Sequence, residues 1–397
     1  MALTVFAELT EKYTSWDSLR IFLMSKEGGN LRVITNDDDL AIIRYTKGVS
    51  DFENENSVTP YFRSVVWNKT TNRPVSVAPP KAQQGMPDNG CFHVSDFVEG
   101  TMIQAFCLDG QIRIATRTSL DARGSFYSTR SFAELLNDVF HAKGGTTEFL
   151  KTVLKDGEFV SLVLQHPEHK MVKAIEAPRV YVTYFGSVHP NRHVTLTHKV
   201  ADWPVSLVSY YPHVYEYGAL LEEGAANDLM RSVAHVQGYS WQGMVFQDDL
   251  GNRWRIRNAA YTAVRGLRGS ESNAMERFVR LRVQGHVKKY LDYFREESGE
   301  LWGFEQTLRQ RTQELYDAYK DMNKLKTKKM KDLPYCLRPH VYALHGKYLA
   351  SISGDGGPKP VLKEKVVAYV NNLPADEQFK LLQGDRTLAS AVASPSQ

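Results

Sequence analysis

Two arginines separated by one residue, Arg255 and Arg257, are the side chains whose type and spacing point most directly to chemistry. Trp254 and Ile256 alternate with them, which is typical of a strand. Because successive side chains of a strand leave opposite faces, both guanidiniums lie on one face and the apolar pair on the other. A guanidinium can hold a phosphate through two parallel hydrogen bonds. The segment therefore predicts a phosphate contact, and the alternative is a solvent-exposed edge strand.

The elements that must position these arginines are organised around residues 93–119, which are predicted to form two strands around a turn. β-forming apolar residues supply the strands: Val94, Phe97, Met102, Ile103, Phe106, Ile112 and Ile114. Asp109-Gly110 is a strong two-residue hairpin signal. The polar residues 116–119 follow the second strand and include Arg117, which together with Arg63 is expected to join the phosphate contact.

Composition limits the class of protein. With 42% hydrophobic and 11% aromatic residues, the chain has the content of a folded globular protein. No window approaches the ~18 apolar residues that a membrane helix needs, and the N-terminus lacks the basic flank of a signal peptide. Cys91, Cys107 and Cys336 lie far apart without a CxxC pair, so structural zinc and a disulfide scaffold are not expected. We expect an intracellular protein in a reducing compartment.

The distribution of charge is uneven although the net charge is only +4. Basic residues outnumber acids between Arg253 and Lys289, and the run from Lys324 to Lys331 is almost purely basic. Such clusters favour a polyanionic partner such as nucleic acid, and the alternative is a solvated helix face.

Other chemistries are not favoured. The chain has no GxxxxGK[ST], GxSxG or HExxH pattern. The acidic turn at residues 37–39 lacks a ligand spacing, so we interpret it as hydrated. His166 and His169 lie in a polar turn, and we expect no metal site there or elsewhere.

Hydrophobic periodicity predicts an α+β part built from antiparallel hairpins, followed by a helical part. Helices are predicted at 1–30 (one or two), 131–141, 215–235 and 361–371, and strands at 31–34, 41–45, 61–78 (a hairpin), 158–164, 179–184, 242–246 and 254–256. We divide the chain into an N-terminal helix/strand segment (1–60), a core (61–265), a helical domain (266–385) and a disordered tail (386–397).

Six short elements follow one another in the core: Arg63–Trp67 with Pro79–Lys81, Phe97–Ile103, Ile114–Ser119, Val163–Val172, Gln242–Phe246 and Arg255–Tyr261. In this order they resemble the elements of the covalent nucleotidyltransferases, the superfamily of RNA ligases, DNA ligases and capping enzymes, and in particular phage-type RNA ligases. The whole chain is most similar to RNA-ligase-like proteins of large DNA viruses. The resemblance implies an antiparallel-sheet, ATP-grasp-like nucleotidyltransferase domain followed by a helical C-terminal domain.

The resemblance implies a position for the nucleophilic lysine, and this chain has a different residue at that position. The family carries a lysine-x-aspartate-glycine element, and the matching residues here are Phe97-Val98-Glu99-Gly100. Phe97 has no amine, so it is expected to stack on a ligand or to fill the core. Glu99 occupies the acid position that in the family approaches the ribose or orients the amine. A buried Glu99 beside Arg63 would make a charge-assisted hydrogen bond, and the alternative is a surface carboxylate of the hairpin. Gly100 would permit close approach of the backbone to the ligand.

The implied cofactors are ATP and Mg²⁺, and the implied metal ligands are weakened. The positions where the family has acids hold Val163 (or Gln165) and Gln242. Neutral amides bind a hard divalent cation less well than carboxylates. Lys81, after two prolines, is the lysine that could substitute as nucleophile, and its alternative is a surface group.

Three hypotheses follow. The first is an RNA-ligase-like pseudoenzyme that binds nucleotide or RNA ends without lysine adenylylation. The second is an active ATP-dependent RNA ligase that uses Lys81 as a relocated nucleophile. The third is a viral structural or assembly protein that retains only the fold, in the host cytoplasm or the virion.

Overall fold

Three β-sheets and a set of short helices come first in the chain, and a group of helices follows. A computed structural model describes residues 2–35, 37–52, 57–87, 91–197, 210–216, 224–248, 251–352 and 359–385. They belong to two compact units, residues 1–265 and 266–397. The predicted α+β class, with antiparallel sheets followed by a helical C-terminal part, is confirmed.

The strands of the first unit are β1 (Ala2–Leu3), β2 (Arg32–Ile34), β3 (Leu40–Arg44), β4 (Val65–Asn68), β5 (Arg73–Val77), β6 (Gln83–Gln84), β7 (Cys91–Asp96), β8 (Thr101–Leu108), β9 (Gln111–Ala115), β10 (Glu158–Gln165), β11 (Arg179–Val188), β12 (Val194–Thr197), β13 (Val214–Tyr215), β14 (Gly243–Asp248) and β15 (Arg253–Arg257). Its helices are α1 (Val5–Lys12), α2 (Trp16–Met24), α3 (Phe132–Phe140), α4 (Thr146–Lys151), α5 (Ala225–Gln237) and α6 (Ala259–Arg268), the last of which contains the division between the units.

The strands form a six-stranded sheet in the order β1-β12-β11-β10-β8-β9, a five-stranded sheet in the order β13-β7-β14-β15-β6, and a four-stranded sheet in the order β2-β3-β4-β5. The pairings are antiparallel except that of β15 with β6. Apolar residues of α1, α2 and the four-stranded sheet form one core with Phe106 and Phe159 of the six-stranded sheet. Another core packs α3 and α4 on that sheet, and a third packs α5 on the five-stranded sheet.

Several local predictions are confirmed. The segment before residue 30 forms two helices, and the predicted strand pairs become β2–β3, β4–β5 and β14–β15. Helix α3 begins with a capping box in which the Ser131 hydroxyl accepts from the Glu134 N–H and the Glu134 carboxylate accepts from the Ser131 N–H. These elements share a strong local pattern, since apolar periodicity and a cap or turn residue agree at each.

The segment 93–119 differs from the prediction of two strands. The turn is as expected, because Asp109 (φ 53°) and Gly110 (φ 70°) both have the positive φ that a type I′ hairpin requires. The first predicted strand, however, is divided into β7 and β8, which belong to different sheets. Residues 97–100 connect them. Gly100 has φ +150° and an added Cβ would lie 2.5 Å from the Leu164 carbonyl oxygen, so the backbone turns there against β10.

The predicted helix at 215–235 is also wrong in its bounds. Residues 214–215 form β13 and the helix α5 begins at Ala225, while residues 217–223 lie outside the described residues. The predicted disordered tail, 386–397, lies outside them as well.

The second unit is helical, as predicted. It contains α7 (Ala274–Val283), α8 (Val287–Leu291), α9 (Ser298–Tyr319), α10 (Arg338–Ile352), α11 (Lys363–Asn371) and α12 (Ala375–Gln383). Its buried ion network joins the Glu297 carboxylate to Arg268, Arg277 and the Tyr290 hydroxyl. Among the described residues of the chain, no helix combines the length and apolarity that crossing a membrane requires.

Candidate phosphate-binding site

Strand β15 presents its arginines as the alternation predicts. Trp254 and Ile256 pack against the core of the five-stranded sheet, so Arg255 and Arg257 lie on the opposite face. Strand β15 lies between β14 and the two-residue strand β6, which pairs with Trp254 and Arg255, while Arg257 beyond that pairing is exposed. Arg253, two residues before Arg255, shares the face and is 8% exposed.

Phe97 covers these guanidiniums. Its N–H donates to the Gly243 carbonyl oxygen (2.8 Å), and Gly243 is paired with Arg257 across the β14–β15 ladder. The Cζ atoms of Arg255 and Arg257 lie 5.9 and 5.5 Å from the Phe97 ring centroid. Phe97 therefore makes cation–π contacts with these two arginines instead of filling a core.

The parallel pairing of β15 with β6 brings Lys81 to the same region. Arg253 donates from Nη1 to the Pro80 carbonyl oxygen (2.8 Å), which fixes the segment just before Lys81. The Lys81 Nζ atom lies 3.3 Å from the Phe52 ring centroid and 5.9 Å from that of Tyr45. Lys81 is half-buried, and its amine lies near Arg255 as well as these two rings.

Arg63, in the segment just before β4, and Arg117, in the segment just after β9, lie near Arg253 and Tyr45. The Arg117 Nε donates to the Arg63 carbonyl oxygen (3.2 Å), and the Arg117 guanidinium lies 5.0 Å from the Tyr45 ring centroid. Arg44, at the end of β3, precedes Tyr45 and interacts electrostatically with Arg117. We refer to this set as the cationic cluster, and its members are Arg44, Arg63, Lys81, Arg117, Arg253, Arg255 and Arg257.

The electrostatics of the cationic cluster are those of crowded like charges. Burial, and then repulsion by Arg253, lowers the pKa of Arg63 to about 10. Burial lowers the pKa of Arg255, Lys81 and Arg44 too, followed by repulsion from Arg257, Arg255 and Arg117 respectively. Each protonated form is therefore less stable here than in water.

No carboxylate in the described part of the chain forms an ion pair with a member of the cationic cluster. The buried Nε atoms of Arg44, Arg253 and Arg255 also have no hydrogen-bond partner among the described residues. Buried guanidiniums normally have a carboxylate or another acceptor. In the described residues this cluster has no carboxylate partner, and the side-chain hydrogen bonds found for its guanidiniums are those of Arg253 and Arg117 to backbone carbonyl oxygens, so it is suited to an anionic ligand with several oxygens.

Glu99 does not pair with Arg63 as expected. It is 7% exposed, and its Oε1 accepts from the N–H groups of Val172 and Lys173 (3.1 Å each). Burial raises the pKa of the Glu99 carboxyl, and those N–H groups together with Tyr261 and Arg265 oppose part of the rise. The carboxylate is buried, so it is not the surface group considered as an alternative either.

Gly100 is needed for a contact within the protein. Gly100 approaches Val163 and Leu164 of β10 closely. An added Cβ would lie 2.5 Å from the Leu164 carbonyl oxygen and 2.5 Å from Val163 Cγ1. The structure thus places this glycine against a strand, and gives its positive φ a structural reason.

The positions where the resemblance implies metal ligands do not fit Mg²⁺. Gln165 is engaged at both ends, since its Nε2 donates to the Glu99 carbonyl oxygen (2.6 Å) and its Oε1 accepts from Arg179 Nε (2.9 Å). Gln242 is buried and neutral. In the described residues, no group of three or more histidine, cysteine, aspartate and glutamate side chains is arranged to hold a metal.

The polar side chains of the turns at residues 37–39 and 166–169 have partners within the protein. Asp37 accepts from the Leu40 N–H (2.8 Å) and pairs with Arg113 (2.9 Å). His166 lies 3.1 Å from the Asp138 carboxylate and His169 lies 2.9 Å from the Thr101 hydroxyl.

Sequence reasoning missed Arg44, Tyr45, Phe52 and Arg253. The alternation that identified Arg255 and Arg257 extends to Arg253, so that residue carried a usable signal. The other three reach the site through long-range packing, for which a single sequence contains no local pattern.

Comparisons with known proteins give structural similarities at low identity. No protein-family model matches the chain, and no curated protein does. An archaeal ATP-dependent RNA ligase is 12% identical with a TM-score of 0.40, over 70% of this chain and 68% of that one. A putative ATP-dependent DNA ligase from Aquifex aeolicus is 10% identical with a TM-score of 0.38, over 88% of this chain and 86% of that one.

Proposed function

We propose that the first unit is an RNA-ligase-like nucleotidyltransferase fold that binds the phosphates of a nucleotide or an RNA end without lysine adenylylation at the family's usual position, which the resemblance matches to Phe97. The observation that carries this proposal is the cationic cluster, whose members have no carboxylate partner among the described residues. Phosphate oxygens would satisfy the guanidiniums with the charge-assisted hydrogen bonds that they lack.

Phe97 supports binding rather than covalent chemistry. Formation of a phosphoramidate requires an amine that attacks the α-phosphate, and the side chain over Arg255 and Arg257 is a ring. An aromatic ring next to cationic side chains also suits a nucleotide, because the base can stack on the ring while the phosphates form ion pairs with the cations.

The direct test is a binding measurement with a labelled single-stranded RNA that carries a 5′-triphosphate, with ATP as competitor. The double variant Arg255→Ala/Arg257→Ala should weaken binding by about ten- to a hundredfold for each charge-assisted hydrogen bond that is removed. Arg231→Ala is the matched control, because Arg231 is 79% exposed and pairs with Asp228 on α5. Unchanged affinity in the double variant would contradict the proposal. Equal affinity of the wild type for 5′-triphosphate and 5′-hydroxyl RNA would show that the protein does not prefer phosphorylated ends.

A second candidate function, an active ATP-dependent RNA ligase, is favoured by one observation at Lys81. Its amine lies inside the cationic cluster, and burial followed by Arg255 lowers its pKa. A lysine with a lowered pKa has more of the neutral amine that acts as a nucleophile.

Incubation with α-labelled ATP and magnesium separates the two functions. The first predicts no covalent protein–AMP. A labelled band that is absent in Lys81→Ala and kept in Lys47→Ala, a change at an exposed lysine, would establish the ligase and displace the pseudoenzyme. If neither label nor salt-dependent RNA binding is found, only a structural or assembly role remains.

We also propose that the helical unit adds sequence-independent contacts to RNA. Its basic run includes Lys326, Lys329 and Lys331, which are all exposed. In the same run, the Lys328 Nζ atom lies 2.9 Å from a carboxylate oxygen of Asp321. Such contacts weaken as salt rises, because bound counterions are no longer released to a dilute solution.

A further inference from the structure

We infer that the cationic cluster takes a polyphosphate free of divalent cation, and that Mg²⁺ opposes binding instead of assisting it. This inference rests on the proposed function and adds the form of the ligand and the sign of the metal effect.

The charge environment of the cluster is the first step. Among the described residues, the groups that act electrostatically on Arg63 are Arg253 and Arg117, which are cations, and the hydroxyls of Tyr45 and Tyr184. The groups that act on Arg255 are likewise two arginines and Tyr45. A ligand that enters here is stabilised in proportion to the negative charge it brings. A divalent cation bound to the phosphates would cancel two of those charges and place a new cation among the guanidiniums.

The second step is the lack of ligands for the metal. Mg²⁺ on a nucleotide is usually held by one or two carboxylates in addition to the phosphates. The nearest candidate by sequence, Glu99, is buried and accepts two backbone N–H groups. Gln165 donates from Nε2 to the Glu99 carbonyl oxygen, and its Oε1 accepts from Arg179 Nε. Within the described residues the site thus offers donors to phosphate and no acceptor set to magnesium.

The third step concerns the number of phosphates. The cluster extends from Arg44 and Arg117, next to the Tyr45 ring, to Arg255 and Arg257, next to the Phe97 ring. Separate cations on two aromatic groups suit a chain of phosphates better than a single one. Affinity should therefore increase from phosphate to pyrophosphate to tripolyphosphate.

The test is isothermal titration of the full-length protein with sodium tripolyphosphate and with ATP, in EDTA and in saturating MgCl₂ at matched ionic strength. Mg²⁺ should weaken both ligands at least about tenfold, the factor expected when one charge-assisted hydrogen bond is removed. In Arg255→Ala the metal effect should shrink, and in Arg231→Ala it should equal that of the wild type. Circular dichroism checks that each variant is folded.

The outcomes separate this inference from the proposed function. Equal or tighter binding of ATP and tripolyphosphate with Mg²⁺ would overturn the metal-free ligand and leave phosphate binding intact. The absence of binding in both buffers would overturn the proposed function itself.

Discussion

Replacing Arg63 with methionine should make the ligand-free protein more stable, which is the reverse of the usual effect of removing a half-buried side chain. The pKa of Arg63 is lowered to about 10 by burial and then by Arg253. Each pKa unit corresponds to about 1.4 kcal/mol, so the charge costs the folded state roughly 3 kcal/mol. This cost is fully present at neutral pH and fades only as the pH rises through the lowered pKa, because the unfolded chain then holds more protons than the folded one.

Methionine keeps most of the volume of arginine and removes its charge. A volume-conserving change usually costs less than about 1.5 kcal/mol in packing, so a net stabilisation of about 1–3 kcal/mol is expected. The guanidinium has no ion pair or hydrogen bond among the described residues that the substitution would remove. Urea unfolding followed by tryptophan fluorescence measures the change, and Arg63→Met should also lack the additional stability that tripolyphosphate gives the wild type.

Arg113→Met is the matched control with the opposite sign. Burial lowers the pKa of Arg113, but the hydrogen bonds that its guanidinium donates to Asp37 and Asp121 raise it overall. The Arg113 Nη2 atom lies 2.9 and 3.1 Å from their carboxylates. This variant should be less stable than the wild type. A destabilised Arg63→Met protein in phosphate-free buffer would refute the claim that the charge of Arg63 destabilises the protein when no anion is bound.

Three further predictions concern Gly100 in the connection between β7 and β8, the buried carboxylate of Glu99, and the basic run from Lys324 to Lys331. Gly100→Ala should cost about 1–3 kcal/mol of unfolding free energy through the clash with Leu164, measured by urea unfolding, whereas Gly124→Ala, with open space around it, should not. Glu99→Gln should flatten the pH dependence of stability. Because burial raises the pKa of Glu99, its charge costs stability above that raised pKa, and the cost is relieved as the pH falls from the raised pKa to the ordinary carboxyl pKa. An unchanged slope of urea midpoints against pH would contradict this. Lys326→Ala/Lys329→Ala/Lys331→Ala should reduce the slope of log affinity against log salt for single-stranded RNA by about 0.7 for each phosphate that is no longer neutralised, and an unchanged slope would place the RNA contact elsewhere.

Local patterns were enough to predict the elements that carry their own signals. Asp109-Gly110 predicted a hairpin because few residues tolerate positive φ at both turn positions, and both have it. The alternation at Arg255 and Arg257 predicted which side of β15 faces the core, because side-chain direction in a strand depends only on parity.

Long-range pairing was not predictable in the same way. The chain leaves one sheet after Asp96 and enters another at Thr101, and nothing in the apolar pattern of that segment marks the change. The two-residue strand β6 is too short for a periodic signal, yet its pairing with β15 brings Lys81 to the arginines. The hydrogen-bond partners of Glu99 were not predictable either, because Val172 and Lys173 are distant from it in sequence and approach it only in the folded protein.

A crystal structure of the protein grown with tripolyphosphate in the absence of divalent cations tests the central claim most directly. The account predicts phosphate density within hydrogen-bond distance of Arg63 and Arg255, between the rings of Tyr45 and Phe97. An empty cluster, or one in which a carboxylate of the chain turns in to pair with these guanidiniums, would contradict it.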